Sequence, residues 1–350
     1  MLSYYKVLRY LNANTLSLSH LKNRVRLMRS YQQRSSHIAA FPVVLQIELS
    51  NRCNLQCIMC PRQGMTRSRG DMDPALFRKI IDEAAGKAEF AILHLLGDSL
   101  LNPHLYEMID QCREAGIRTV LSTNGTLLNE KHARRLRASQ LDILILSFDG
   151  FRRETYEKVR KNASYSRTLR NVERFLKLPP LRHPHTIVQM IAMKETREEA
   201  KEFLGFWKGY PAQALIKPFT QWQGDIASIN ALSDNSGGGP LAALRDKVCD
   251  RAWRWLTVYQ DGTVVPCCRD YDGAHPVGNL REGSVSEVWN SESMVHFREQ
   301  HLLGRDRLEI CRTCDYHPLI ADSALVRMGL TLFDMYAVTR LMYDMEYGVD

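Results

Sequence analysis

Residues 47–61 read IELSNRCNLQCIMCP. Cys53, Cys57 and Cys60 stand in C-x3-C-x2-C spacing directly after an apolar run, which gathers three thiols on one short loop at a strand end. Three thiolates cannot complete a four-iron cube. A cluster held by four cysteines is saturated, whereas one held by three leaves an iron open, much as a catalytic zinc keeps an open position. The same residues could also be a zinc knuckle lacking its fourth ligand, or a chance cysteine group in a reducing compartment. The flanking chain has to decide between these readings.

Outward from this loop the pattern is regular. From Pro42 onward, short β-rich apolar runs alternate with amphipathic helical stretches, the sequence form of repeated βα units on a parallel sheet. Six strands are predicted, over Val43–Leu49, Phe90–Leu96, Ile117–Ser122, Leu141–Ser147, Thr186–Ala192 and Ala214–Pro218. Asp73 as N-cap with Pro74 at the first helical position announces a helix, and Leu76, Phe77, Ile80, Ile81 and Ala84 recur on its sheet-facing side. A further helix is predicted over Pro103–Ala115, stopped by Gly116. Six such units imply an α/β fold, a partial (β/α)6 TIM-like barrel rather than a closed eight-fold one. Its chemistry is expected on the loops after the strands. Three short motifs fall there: Leu96-Gly97-Asp98, Ser122-Thr123-Asn124-Gly125 and Ser147-Phe148-Asp149-Gly150.

Together with the cysteine loop, these motifs resemble those of the radical SAM superfamily over the span from Pro42 to Thr220. The resemblance implies a [4Fe–4S] cluster on Cys53, Cys57 and Cys60 whose open iron is chelated by S-adenosylmethionine (SAM), and reductive cleavage of SAM to a 5′-deoxyadenosyl radical. It also implies an external electron donor such as flavodoxin or ferredoxin. Gly97 and Asp98 stand where the family usually carries a Gly-Gly-Glu motif that holds the methionine amino group. Leu96 replaces the first glycine and Asp98 the glutamate, one methylene shorter. Ser122 and Asn124 resemble the turn that meets the cofactor's ribose and carboxylate, and Ser147 and Asp149 resemble a turn at the cofactor or substrate edge. Each turn taken alone is also ordinary strand-end chemistry, since Asn-Gly and Asp-Gly favour turns. Arg160 is a candidate partner for the cofactor carboxylate, or an exposed helix arginine. Met193 is a candidate neighbour of the adenine, or a core methionine.

Composition shifts after Gln221. The stretch ALSDNSGGGP at 231–240 has linker or lid content, and a second cysteine group follows it. Cys249, Gly262 and Cys267 form C-x12-G-x4-C, and Cys311 and Cys314 form C-x2-C. A hairpin signal, Asp261-Gly262, lies between Trp255–Tyr259 and Thr263–Val265. This half resembles the SPASM/twitch extension of some radical SAM enzymes. A full SPASM module carries more cysteines and a second auxiliary cluster; with none after Cys314, the twitch form with one auxiliary [4Fe–4S] cluster fits. Four thiolates also suit tetrahedral zinc. Cys268, beside Cys267, could be a substitute ligand, a thiol that returns a hydrogen atom to the substrate, or a loop thiol without a role. Cys112 reads as a buried apolar filler.

The expected organisation is a helical arm over 1–41, the barrel over 42–230, a linker over 231–244, the auxiliary module over 245–320 and an amphipathic C-terminal helix over 321–350. Nine clustered cysteines in 350 residues, with no signal-peptide pattern or membrane-length apolar run, point to cluster ligation in a reducing cytoplasm and to no stable membrane insertion. The net charge of +8 is no general nucleic-acid signal. Lys6, Arg9, Lys22, Arg24, Arg26, Arg29 and Arg34 all precede the first acid, Glu48, so nearly all of the excess sits in the arm. That arm reads as helices packed on the barrel, with a transit segment or a membrane-surface helix as alternatives. The expected function is hydrogen abstraction from a small, polar, carbohydrate-like or aminocyclitol substrate, ending in epimerisation or two-electron dehydrogenation. Radical modification of a ribosomally made peptide and a metal or zinc scaffold that binds a partner are the alternatives.

Overall fold

The computed structural model describes residues 17–180, 183–219, 221–223, 226–233 and 248–314. The expected C-terminal helix, most of the linker and the first part of the arm lie outside the described residues.

All six expected barrel strands form. β1 (Val44–Ile47), β2 (Phe90–Ile92), β3 (Arg118–Thr123), β4 (Ile143–Ser147), β5 (His185–Ala192) and β6 (Gln213–Pro218) pair parallel in chain order. β1 and β2 are buried throughout, so they read as continuous apolar runs rather than alternating ones, as a parallel sheet covered by helices requires. The crossover helices are α2 (Pro74–Ala84), α3 (Leu105–Glu114), α4 (Glu130–Ala138), α5 (Arg153–Val159) and α6 (Tyr165–Lys177), with α7 (Ala200–Trp207) before β6. The Asp73 carboxylate caps α2 by accepting from the Ala75 and Leu76 amides at 2.7 and 3.1 Å, and the five expected apolar residues of α2 are buried. β2 ends at Ile92, short of the predicted Leu96. After Leu93 bonds the Val120 carbonyl, the chain curls across the sheet end into Gly97.

One pairing was invisible in the sequence. β7 (Trp255–Val258), from the second cysteine region, lies parallel on β1 with Val44 opposite Trp255 and Ile47 opposite Val258. The expected hairpin then adds β8 (Thr263–Val265) antiparallel to β7, and β9 (Gly278–Asn279) follows. The result is one nine-stranded sheet, ordered β6-β5-β4-β3-β2-β1-β7-β8-β9. The second module therefore continues the barrel sheet, and β1, which carries the first cysteine loop, is an interior strand.

The described part of the arm, α1 (Leu18–Gln32), packs by its polar residues as much as by its leucines. Arg24 forms a buried ion pair with Glu89, and Asn23 bonds the Phe41 amide and carbonyl. Leu27 is buried, but Leu18 and Leu21 face outward.

Candidate active site

The cysteine loop is fixed by its neighbours. The Asp98 amide donates to the Arg52 carbonyl at 2.8 Å, locking the loop after β2 against the cysteine loop. Gly97 sits between them at φ +78°, and a Cβ there would lie 2.3 Å from the Ser50 carbonyl oxygen, so only glycine allows this approach. Cys53, Cys57 and Cys60 all line one cavity of about 210 Å³ at the C-terminal ends of the strands. N–H donors surround the sulfurs. Cys53 Sγ accepts from the Leu55 amide at 3.4 Å and from Asn124 Nδ2 at 3.7 Å, and Arg160 Nη1 stands 4.0 Å from Cys57 Sγ. Burial raises all three thiols, Cys57 to about 12, so they ionise there only against a bound cation. Half-buried thiols on one cavity wall, with donors near the sulfurs of Cys53 and Cys57, fit the three-thiolate side of an iron–sulfur cluster.

The expected cofactor residues divide into two groups. Gly97, Ser122, Asn124, Ser147 and Arg160 line the cavity. The Ser122 and Ser147 hydroxyls are hydrogen-bonded at 3.1 Å across β3 and β4. Asp98, Asp149 and Met193 lie behind this lining. Both Asp98 oxygens accept from Thr123 Oγ1, and the Asn124 and Leu100 amides bind one oxygen each, so the carboxylate splints the β2 and β3 loops. Asp149 holds Arg160 in a buried pair, at 2.5 and 3.0 Å through one oxygen, while the other accepts from the Ile191 amide. Arg160 is thus a buried, positioned cation at the end of α5 rather than an exposed helix arginine. Met193 is fully buried in a small apolar cluster with Met59, Val159, Phe219 and Ile229.

The sequence reading missed His94, Lys217 and Trp222, all of which line the cavity. No motif marks them: His94 follows β2, Lys217 lies in β6 and Trp222 beyond it, and only the fold brings them to one cavity. Trp222 joins the two cysteine regions. Its indole N–H donates to the Met59 carbonyl in the first loop at 3.2 Å, and its own carbonyl accepts from Arg269 at 3.3 Å.

In the second region, as throughout the chain, no cysteine is in a disulfide, and the Cys314 amide donates to the Cys311 carbonyl at 3.0 Å. Arginines surround this group. Arg251 Nη1 lies 2.9 Å from Cys268 Sγ, Arg305 and Arg269 act on Cys311, and Arg305 Nη2 reaches the Cys314 carbonyl at 3.4 Å. Burial raises Cys249 to about 11 and Cys311 to about 12. Cys268 is instead held down by its hydrogen bond with Cys267, with Arg251 assisting. Arginines near these thiols suit the charge of an anionic cluster. Cys112 is buried on α3 among apolar residues.

A model of the radical SAM superfamily matches residues 47–206, and a model described as an iron–sulfur cluster-binding domain, SPASM, matches residues 249–315. The chain belongs to the radical SAM superfamily. As a radical SAM enzyme with a SPASM domain it uses a SAM-binding [4Fe–4S] cluster and an auxiliary iron–sulfur cluster, which sets the zinc readings aside. It is 26% identical over 303 residues to the tungsten-containing aldehyde ferredoxin oxidoreductase cofactor-modifying protein of Pyrococcus furiosus, spanning 73% of this chain and 82% of that one. It is 24% identical over 309 residues to a PqqA peptide cyclase of Xanthomonas euvesicatoria, spanning 79% and 81%. Among solved structures, Streptococcus suis SuiB bound to precursor peptide SuiA superposes with a TM-score of 0.63 at 15% identity, over 87% of this chain and 78% of SuiB. BtrN in complex with AdoMet and 2-DOIA superposes with a TM-score of 0.52 at 19% identity, over 78% and 93%. These likenesses establish the fold. No described helix is long and apolar enough to cross a membrane.

Proposed function

We propose that this radical SAM enzyme abstracts a hydrogen atom from an unactivated C–H bond of a small polar molecule, carbohydrate-like or an aminocyclitol, and resolves it as an epimer or as a product of two-electron dehydrogenation. Cys53, Cys57 and Cys60 hold the first cluster; Gly97, Ser122, Asn124, Ser147 and Arg160 are the side of the cavity that takes SAM, with Asp98, Asp149 and Met193 supporting it from behind. Cys249, Cys267, Cys311 and Cys314 hold the auxiliary cluster. Loaded with its cofactors, the first site supplies a carbon radical that removes the substrate hydrogen.

The observation that carries this reading is the link between the second region and the wall of the first region's cavity. Trp222, on the cavity wall, is bonded to the first loop on one side and to Arg269, next to Cys268, on the other. Cys268 also feels the charge of Lys217, a cavity residue. A redox group behind the cavity wall suits dehydrogenation, and a thiol that reached the substrate would suit hydrogen return. The contact with Arg251 favours the anionic form of Cys268, which ligates or accepts charge but cannot give a hydrogen atom without first gaining a proton.

The test compares product with 5′-deoxyadenosine in reconstituted wild type and in Cys268→Ala, run in D2O. Epimerisation through this thiol places one solvent deuterium in the product and stops in the variant. Normal epimer formation by Cys268→Ala eliminates the donor role. Peptide modification is the second reading, favoured by the length over which PqqA peptide cyclase aligns and by the fold of peptide-bound SuiB. SAM turnover stimulated by a peptide and by no small polar metabolite would select it.

A further inference from the structure

Two arginines line the cavity, and among the described residues only one of them, Arg160, has a carboxylate partner, Asp149. Arg62 follows Cys60 by two positions and is only 5% exposed. Its guanidinium makes one hydrogen bond to the described residues, from Nη2 to the Leu55 carbonyl at 2.7 Å, across the loop that carries Cys57 and Cys60. The amide of the same Leu55 donates to Cys53 Sγ at 3.4 Å, and the positive charge of Arg62 acts on the sulfurs of Cys53 and Cys60. Asp98, the other carboxylate behind the lining, is held by the Thr123 hydroxyl and by amides.

Burying a guanidinium without a counter-charge is costly unless its N–H groups are used in other ways. Arg137, as deeply buried, shows the alternative, since it donates to the carbonyls of Phe175, Pro180 and His183. Arg62 has a single carbonyl and borders a cavity instead, so its position calls for an anion on the cavity side. Three thiolates on a dicationic four-iron core leave one net negative charge, and a reducing electron adds a second. With Arg160 matched by Asp149, Arg62 is the arginine left to oppose that charge. We propose that Arg62 is the counter-charge of the cluster on Cys53, Cys57 and Cys60, a positioning residue that makes this cluster easier to reduce. A fixed cation favours the form with the greater negative charge, and salt screens it little in a buried site. The inference goes beyond the reading of the substrate and rests only on the assignment of those three cysteines.

The test is a potentiometric titration followed by electron paramagnetic resonance on the full chain reconstituted with both clusters. The signal of the first cluster is the one that changes when SAM is added, and its midpoint is read before SAM is present. Arg62→Gln, which keeps N–H donors but no charge, should lower the ratio of reduced to oxidised cluster at a fixed potential about tenfold, which is about 59 mV for one electron. Arg62→Lys, which keeps the charge, should stay within about threefold of wild type. An unshifted midpoint in Arg62→Gln overturns the inference. So does an Arg62→Lys midpoint as low as that of Arg62→Gln, which would make Arg62 a clip for the loop alone. If Arg62→Gln does not take up the first cluster, loading is the readout: uptake by Arg62→Lys upholds the role of the charge, and failure of both variants overturns it. A SAM-sensitive signal that survives in Cys57→Ala sinks the cysteine assignment and the inference with it, whereas an unshifted midpoint with that signal lost in Cys57→Ala sinks the inference alone.

Discussion

The two cysteine regions share one sheet but present their sulfurs differently. Cys53, Cys57 and Cys60 all face the cavity, and their nearest donors are an amide, an asparagine and an arginine already paired with Asp149. The second group is absent from the cavity lining and sits among Arg251, Arg269 and Arg305. A cluster on the first loop would keep a side open to the cavity; one on the second would be enclosed and charge-compensated. The difference separates a site that binds a cofactor from one that stores or passes an electron.

The sharpest way to break this comparison is to remove one sulfur from each region. Reconstituted wild type should hold about eight irons per chain, and Cys57→Ala and Cys311→Ala about four each. Despite equal iron, the two variants should differ in chemistry. Cys57→Ala should lose reductive SAM cleavage down to background. Cys311→Ala should still release 5′-deoxyadenosine but form no product. Loss of SAM cleavage in both would mean that the regions do not divide the work as their surroundings suggest.

A smaller effect tests the joint between them. Arg67, just past the first loop, donates to both Glu48 oxygens at 2.9 and 3.1 Å, stacks over Tyr259 with 3.5 Å to the ring centre, and reaches the Tyr271 carbonyl at 2.9 Å. Beside it, Asp272 accepts from the Thr66 and Arg67 amides. The pair is almost wholly buried, with 7% of the Arg67 side chain and none of Glu48 exposed. Arg67→Met leaves a buried carboxylate without its partner and should cost about 3–5 kcal/mol in denaturant unfolding. Adding Glu48→Leu should recover much of this, because an apolar pair of similar volume carries no desolvation penalty. A double variant as unstable as the single would show that Arg67 acts through Tyr259 and the 271–272 backbone instead.

What the sequence made legible, and what it hid, follows from the range of the interactions involved. The cysteine spacings, the Asp73–Pro74 cap and the strand-end glycines are local: each is set by residues within a few positions, and each can be seen in the chain. Gly97 is an instructive case, since its left-handed turn can be guessed but the reason for it, the Ser50 carbonyl 2.3 Å from where a Cβ would lie, cannot. Asp98 looked like a cofactor ligand by position, yet three neighbouring donors already use it, a fact that depends on how the β3 turn folds back. His94, just past β2, and Lys217, in β6, are more than a hundred residues apart and share no motif. The parallel pairing of β7 on β1 was hidden for the same reason: an apolar run of four residues does not state its neighbour.

That pairing leads to the smallest effect. Ser284 caps the helix Val285–Trp289 in a capping box, its hydroxyl accepting from the Glu287 amide at 3.2 Å while the Ser284 amide donates to Glu287 at 2.7 Å. Ser284→Ala should cost about 1 kcal/mol. Were the second module an independent unit, only its own amides would report the loss. But the Glu48 amide bonds the Val258 carbonyl at 2.9 Å and the Val43 amide bonds the Arg254 carbonyl at 3.1 Å, so β1 cannot open at this seam without parting from β7. If the nine strands open as one cooperative unit, hydrogen exchange at Val43 and Glu48 should speed up about fivefold in Ser284→Ala, matching the amides of β8. Acceleration confined to residues 255–314 would instead make the β1–β7 seam a boundary, and the first cysteine loop would then keep its stability whatever happens to the second.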